Sequence, residues 1–191
     1  MKRYTLFSVL LLLFFNVVSA QSSSVFGSVT EAKSKIESTV PVVLEHLKKI
    51  SESQGDHSIY TNGKEALKKE YETVALEFDL YRGNMANCIL GRSKKATKCM
   101  NYHTLYFRNT LGNYNNYMNY ITKKNGYLGV EDESVKLDFK PTEIATKVDT
   151  DFTAASKAVK KLKGNSKSSY FEQVKSEDFK LAPFDTLAKE N

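Results

Sequence analysis

Apolar residues recur along the chain every three or four positions, with polar residues between them. Val29, Ala32, Ile36, Val40, Val43, Leu47 and Ile50 hold one phase at 100° per residue, which predicts an amphipathic helix. Pro41 lies inside that run. Because the phase survives it, a kink or short break is expected, not two unrelated elements. The polar stretch 51–58, SESQGDHS, should end the helix. A second stripe runs through Leu67, Tyr71, Val74, Phe78, Tyr81, Met85, Cys88 and Ile89. It predicts a helix over 63–90, about 40 Å long at 1.5 Å per residue. Glu65, Lys68, Lys69 and Glu72 supply its wet side, and Gly91 is the expected stop.

Residues 111–121 read LGNYNNYMNYI, a composition shared with low-complexity tracts. Yet Leu111, Tyr114, Tyr117, Met118 and Ile121 fall on one arc of a helical wheel, and Asn115, Asn116 and Asn119 fall opposite. Phe107, Tyr106, His103, Met100 and Cys99 continue the apolar arc backward. A low-complexity tract has no reason to hold a phase for so long. The stretch therefore ends a long amphipathic helix whose core face is built from tyrosines. Asn and Gly112 are poor helix formers, so tertiary packing must hold it, and Gly112 is its weakest point.

The segment 122–141 is punctuated by Gly126, Gly129 and Pro141. Val135, Leu137 and Phe139 alternate as in a strand, but no second strand is evident, so the segment reads as an ordered loop. A fourth helix follows Pro141, with Thr142 as the expected N-cap and Ile144, Val148, Ala155, Val159 and Leu162 as its apolar face. Gly164 closes it, and SSYFEQVKSEDF suggests a last short helix. Phe179, Leu181, Phe184 and Leu187 then look like clamps on the bundle surface. The sum is an all-α fold: an up-and-down bundle of about four amphipathic helices with a short C-terminal helix or tail.

The first twenty residues stand outside this pattern. Lys2 and Arg3 precede a short apolar run, and Val18 and Ala20 flank a small-residue cleavage position before Gln21. That is the layout of a secretory signal peptide, residues 1–20, leaving 21–191 as a single bundle domain. No later stretch approaches the length of a transmembrane helix. Cleavage lowers the formal charge from +6 to +4, spread over the chain, which argues for solubility more than for a nucleic-acid partner. No N-x-S/T sequon occurs among the many Asn residues, which leans toward bacterial export, periplasmic or extracellular.

Candidate chemistry is sparse. Cys88 and Cys99 are an even pair in an exported chain, without C-x-x-C spacing, so a structural disulfide is expected over a redox pair. Both fall on apolar stripes at facing ends of an antiparallel hairpin. His46, His57 and His103 form no recognised metal-ligand spacing, and neither metal nor cofactor is expected. His103 and Asp151 sit on core faces and are the candidate buried polar pair; a catalytic dyad is the sharper reading of them, a satisfied structural pair the blander one. Arg92, Lys94, Lys95 and Lys98 form a candidate anion-binding cluster, and Lys157, Lys160, Lys161, Lys163 and Lys167 a second basic run. The expected function is that of an exported, non-enzymatic bundle binding a protein or envelope surface. The alternatives are a carrier of a small apolar ligand between the helices, and an enzyme using His103 and Asp151.

Overall fold

The computed structural model describes residues 25–91, 93–122 and 141–189. The leader expected at 1–20 and almost all of the loop expected at 122–141 lie outside the described residues. Six helices appear in chain order among them: α1 Gly27–Gln54, α2 His57–Leu90, α3 Ser93–Thr122, α4 Pro141–Lys161, α5 Asn165–Lys175 and α6 Phe184–Leu187. The four long helices contact one another in a closed ring, α1 to α2 to α3 to α4 and back to α1. Each neighbour is antiparallel. Phe78 and Tyr81 of α2 meet Phe107 of α3, while Cys88 meets Cys99. Asp151 of α4 reaches Ser28 of α1, and Lys147 reaches Glu31. This is the expected up-and-down bundle.

The helix boundaries follow local chemistry more closely than the stripe alone foretells. The α1–α2 link takes two residues instead of a long polar loop. Gly55 adopts φ 65°, a left-handed conformation that suits glycine, and Asp56 caps α2 by accepting from the Ser58 amide. The Ser58 hydroxyl and amide hold the Asp56 carboxyl below the usual carboxylate range. α2 thus begins six residues earlier than the predicted start at Gly63, because capping, not burial, sets its start. α1 runs unbroken through Pro41, which lies on the solvent side. α3 runs unbroken through Gly112. At the head of α4, Pro141 itself is the first helical residue, where its missing N–H costs nothing, so Thr142 is not the cap.

The predicted stripes are buried and form one continuous core. α1 and α2 approach closely at Gly63, where an added Cβ would lie 2.8 Å from a Leu47 methyl. The core face of α3 is less tyrosine-rich than expected: of its tyrosines only Tyr114 is buried, its Oη paired with Thr39 Oγ1 at 2.8 Å, and the other buried phenols belong to α2. Tyr81 Oη pairs with Thr104 Oγ1 at 3.1 Å, and Tyr71 Oη donates to the Ala182 carbonyl at 2.7 Å. Tyr106, expected on the core arc, is exposed instead, Tyr117 is half-buried, and Leu162 of α4 is half-buried.

The C-terminal segment does more than clamp a surface. α5 packs on α2. Its end meets the start of α1, where Glu177 Oε1 accepts from the Val25 amide at 2.7 Å. The chain then climbs along α1, with Lys33 paired to Asp178 and the Ala182 amide donating to Glu37. Phe179, Leu181 and Phe184 are buried in the core.

Burial pushes the phenols of Tyr71, Tyr81 and Tyr114 well above the usual tyrosine value, and that of Tyr170 up to about 12. Raised folded-state values mean that their contribution is fully present below the unfolded value near 10 and is lost as pH rises past it. We expect tyrosinate absorbance to appear in two stages on alkaline titration. The second should coincide with cooperative loss of helical circular dichroism. A single non-cooperative stage with the helices intact would contradict this packing.

Candidate functional site

Three features gather the residues with chemical potential. The first is the end of the α2–α3 hairpin. Cys88 and Cys99 are joined as a disulfide with a Cα–Cα distance of 5.6 Å. His103, one turn beyond Cys99 on the same face of α3, brings a ring nitrogen to the sulfurs: the three ligand-type atoms lie within 4.8 Å of one another. The imidazole is half-buried and packs edge-on against Tyr102 at 5.2 Å. Burial lowers its pKa, favouring the neutral ring. While the bond is closed the sulfurs present no thiolate, which is the form that binds metal. The Cys99–His103 spacing is that of two ligands one helical turn apart, a signal present in the sequence that a search for H-E-x-x-H passes over.

The expected pairing of His103 with Asp151 does not form. Asp151 Oδ2 accepts from the Ser28 amide at 2.8 Å and from the Ser28 hydroxyl at 2.6 Å. It thereby caps α1, whose own N-cap position, Phe26, has no side-chain acceptor to offer. A carboxylate at a helix N-terminus also complements the dipole there. His103 faces the disulfide, Asp151 faces α1, and the two act separately.

The second feature is the outer face of α2 and α3. Tyr102, Leu105 and Tyr106 on α3 are 65%, 48% and 53% exposed, and Leu76 and Leu80 on α2 are 59% and 45% exposed. The contacts Cys88–Cys99, Tyr81–Thr104 and Phe78–Phe107 put Leu80 level with Tyr106. Tyr106 lies on the flank of α3 that carries Cys99 toward α2. The five side chains therefore form a row on one side of the bundle, rimmed by the Asp79–Arg82 ion pair and by Arg108, itself paired with Asp149.

The third feature is charge. The sequence has no Asp or Glu over residues 80–130 or over 152–171, yet both stretches are rich in Lys and Arg. The antiparallel packing of α3 on α4 brings the start of one beside the end of the other. The net charge is thus polarised toward one end of the bundle, not spread along the chain. Of the first basic cluster, Arg92 lies outside the described residues, as does the side chain of Lys94; Lys95 and Lys98 are exposed. Lys167 of the second run has a structural task. Its ammonium donates to the carbonyls of Leu90, at 3.2 Å, and Gly91, closing the C-terminus of α2.

No family model, curated protein or solved structure matches this chain.

Proposed function

We propose that this protein is an exported, non-enzymatic helical bundle that acts by binding a protein or envelope surface, and that the outer α2–α3 face is its contact. The observation that carries the reading is the exposed row Leu76, Leu80, Tyr102, Leu105 and Tyr106. Scattered surface leucines need no explanation, but large apolar side chains gathered in one patch mark interaction surfaces. Tyrosines add rigid contact area with a polar tip, and an apolar centre within a polar rim is the usual anatomy of a protein interface. The Cys88–Cys99 bond fits an oxidising compartment, and no helix among the described residues is long and apolar enough to cross a membrane. Binding is preferred to catalysis because His103 and Asp151 have separate surroundings, and to carriage of an apolar ligand because the core tyrosines are packed and hydrogen-bonded.

The test uses the chain from Gln21 onward and envelope fractions from its source cells. Saturable co-sedimentation is expected, weakened at least tenfold by the combined change Leu80→Ser, Tyr102→Ser and Tyr106→Ser, all at exposed positions. Protease treatment of the envelopes separates a protein partner from another envelope component. Undiminished binding by the triple variant would remove this face from the proposal, and absence of saturable binding would remove the proposal itself.

A further inference from the structure

The α3–α4 side of the basic end carries a groove outside the apolar row. It measures about 410 Å³ and opens between the first turns of α3 and the last turns of α4, lined among others by Lys98, Asn101, Phe152, Ser156, Lys157 and Lys160. Lys98 from the first basic run and Lys157 and Lys160 from the second thus meet in one depression. None of Lys98, Lys157 and Lys160 is among the salt bridges of the described residues. The nearest carboxylates on α4 are engaged elsewhere, Asp149 with Arg108 and Asp151 with Ser28. The dipole of α4 accounts for Lys160, which sits in its last turn. It does not account for Lys98, which sits near the N-terminus of α3, where the dipole is positive and no acidic residue occupies the first turn. Positive charge is accumulated here against local electrostatics.

A second observation points the same way. Ser156 lines the groove and is only 5% exposed, yet its hydroxyl has no hydrogen-bond partner among the described residues. The hydroxyl stays open to the groove, so a ligand there can take the place of its water without breaking a bond inside the protein.

We propose that this groove binds a phosphate group, held by Lys98, Lys157 and Lys160 and hydrogen-bonded by Ser156 and Asn101, on a ligand whose apolar part lies against Phe152. Lysines act as point charges toward phosphate, and three of them match a group carrying nearly two negative charges and three acceptor oxygens better than a single carboxylate. Phe152 is half-buried and gives the groove one apolar wall. The phosphate belongs either to a small organic phosphate or to a lipid headgroup.

The chain from Gln21 onward, labelled for amide NMR, is titrated at constant ionic strength with inorganic phosphate and with phenyl phosphate. In parallel it is sedimented with vesicles of phosphatidic acid or of phosphatidylcholine. Saturable shifts confined to the groove are expected, with phenyl phosphate binding several-fold more tightly than inorganic phosphate. The combined change Lys98→Gln, Lys157→Gln and Lys160→Gln should weaken binding at least tenfold while melting at or above the wild-type temperature, since it relieves repulsion. Ser156→Ala should weaken it a few-fold, and Lys48→Gln with Lys49→Gln, on α1, should leave it unchanged. Variant-sensitive binding of the soluble phosphates identifies a small organic phosphate. Variant-sensitive binding of phosphatidic acid vesicles alone identifies a headgroup. Linear shifts spread over every lysine together with variant-insensitive vesicle binding would overturn the site, as would a folded triple variant that binds like the wild type. Leu80, Tyr102 and Tyr106 do not line this groove, so failure of the α2–α3 face leaves this result readable on its own.

Discussion

Replacing Phe179 with alanine should lower the unfolding free energy by about 3–5 kcal/mol, the range for deleting a buried phenyl ring with incomplete collapse of the cavity. The residue lies outside every helix, yet it is fully buried. Its ring meets Phe26 edge-on at 6.1 Å and stacks with Tyr81 at 6.3 Å. Phe26 begins α1, and Tyr81 sits at the α2–α3 seam against Phe107. One side chain from the tail therefore joins the start of the first helix to the centre of the hairpin. Its loss should also release the backbone around it, including the Val25–Glu177 bond and the Lys33–Asp178 pair. At roughly 2–4 °C per kcal/mol for a chain of this size, the melting temperature should fall by about 10 °C. Hydrogen exchange over residues 177–188 should rise before the four long helices open. Leu187→Ala, on the same tail but half-buried, should cost far less. A Phe179→Ala loss under about 1 kcal/mol would mean that the tail is dispensable to the core.

The four-helix pattern was legible because burial on a helix leaves a 3.6-residue trace, and the stripes of Leu67 to Ile89 and of Met100 to Ile121 carry it clearly. Tyr106 shows where that trace stops. A wheel gives the direction of a side chain but not the position of the neighbouring axes, so a residue at the edge of the arc can be core or rim. The tail was harder to read, since Phe179 and Leu181 are buried from irregular backbone that has no period. The start of α2 was missed because the six residues ahead of Gly63 carry little apolar signal, and Asp56 decides the boundary through a cap.

Pairings were less legible than faces. Asp151 on a core face suggested a polar partner on another core face, and His103 was the candidate at hand. The actual partner is a backbone amide, a group every residue has and no sequence pattern advertises. The missing capping side chain before Ser28 was the available clue. The two lysine runs were visible singly, but the meeting of Lys98 with Lys157 and Lys160 in one groove depends on α3 lying antiparallel to α4. The Cys88–Cys99 bridge was inferable because it needs only one hairpin, and a hairpin is the shortest-range tertiary fact a helical sequence encodes.

That bridge carries the other large expected effect. Reduction, or the double change Cys88→Ala and Cys99→Ala, should cost about 3 kcal/mol, from the chain-entropy model for a loop closed between residues 11 apart. The cost falls mainly on the unfolded chain, so the hairpin itself should survive. Met85, Ile89, Ala96 and Met100, on the same ends of α2 and α3, stay buried in the core, and Lys167 still closes the end of α2. Circular dichroism of the reduced protein should therefore be nearly unchanged at room temperature, while its denaturant midpoint falls. The reductant should shift the wild-type midpoint as far as the double substitution does, and should do nothing further to the variant. A loss well above 5 kcal/mol, or collapse of helicity on reduction, would place the effect in the native state and make the bridge a strut of the hairpin. Equal midpoints with and without reductant would mean that the thiols are not bonded in solution. The same experiment bears on the basic groove, because Lys98 precedes Cys99 and the bridge fixes that turn of α3 against α2. With the hairpin intact after reduction, groove affinity should change little, and a large loss would show that the bridge, not the packing of Met100 and Ala96, sets the position of Lys98.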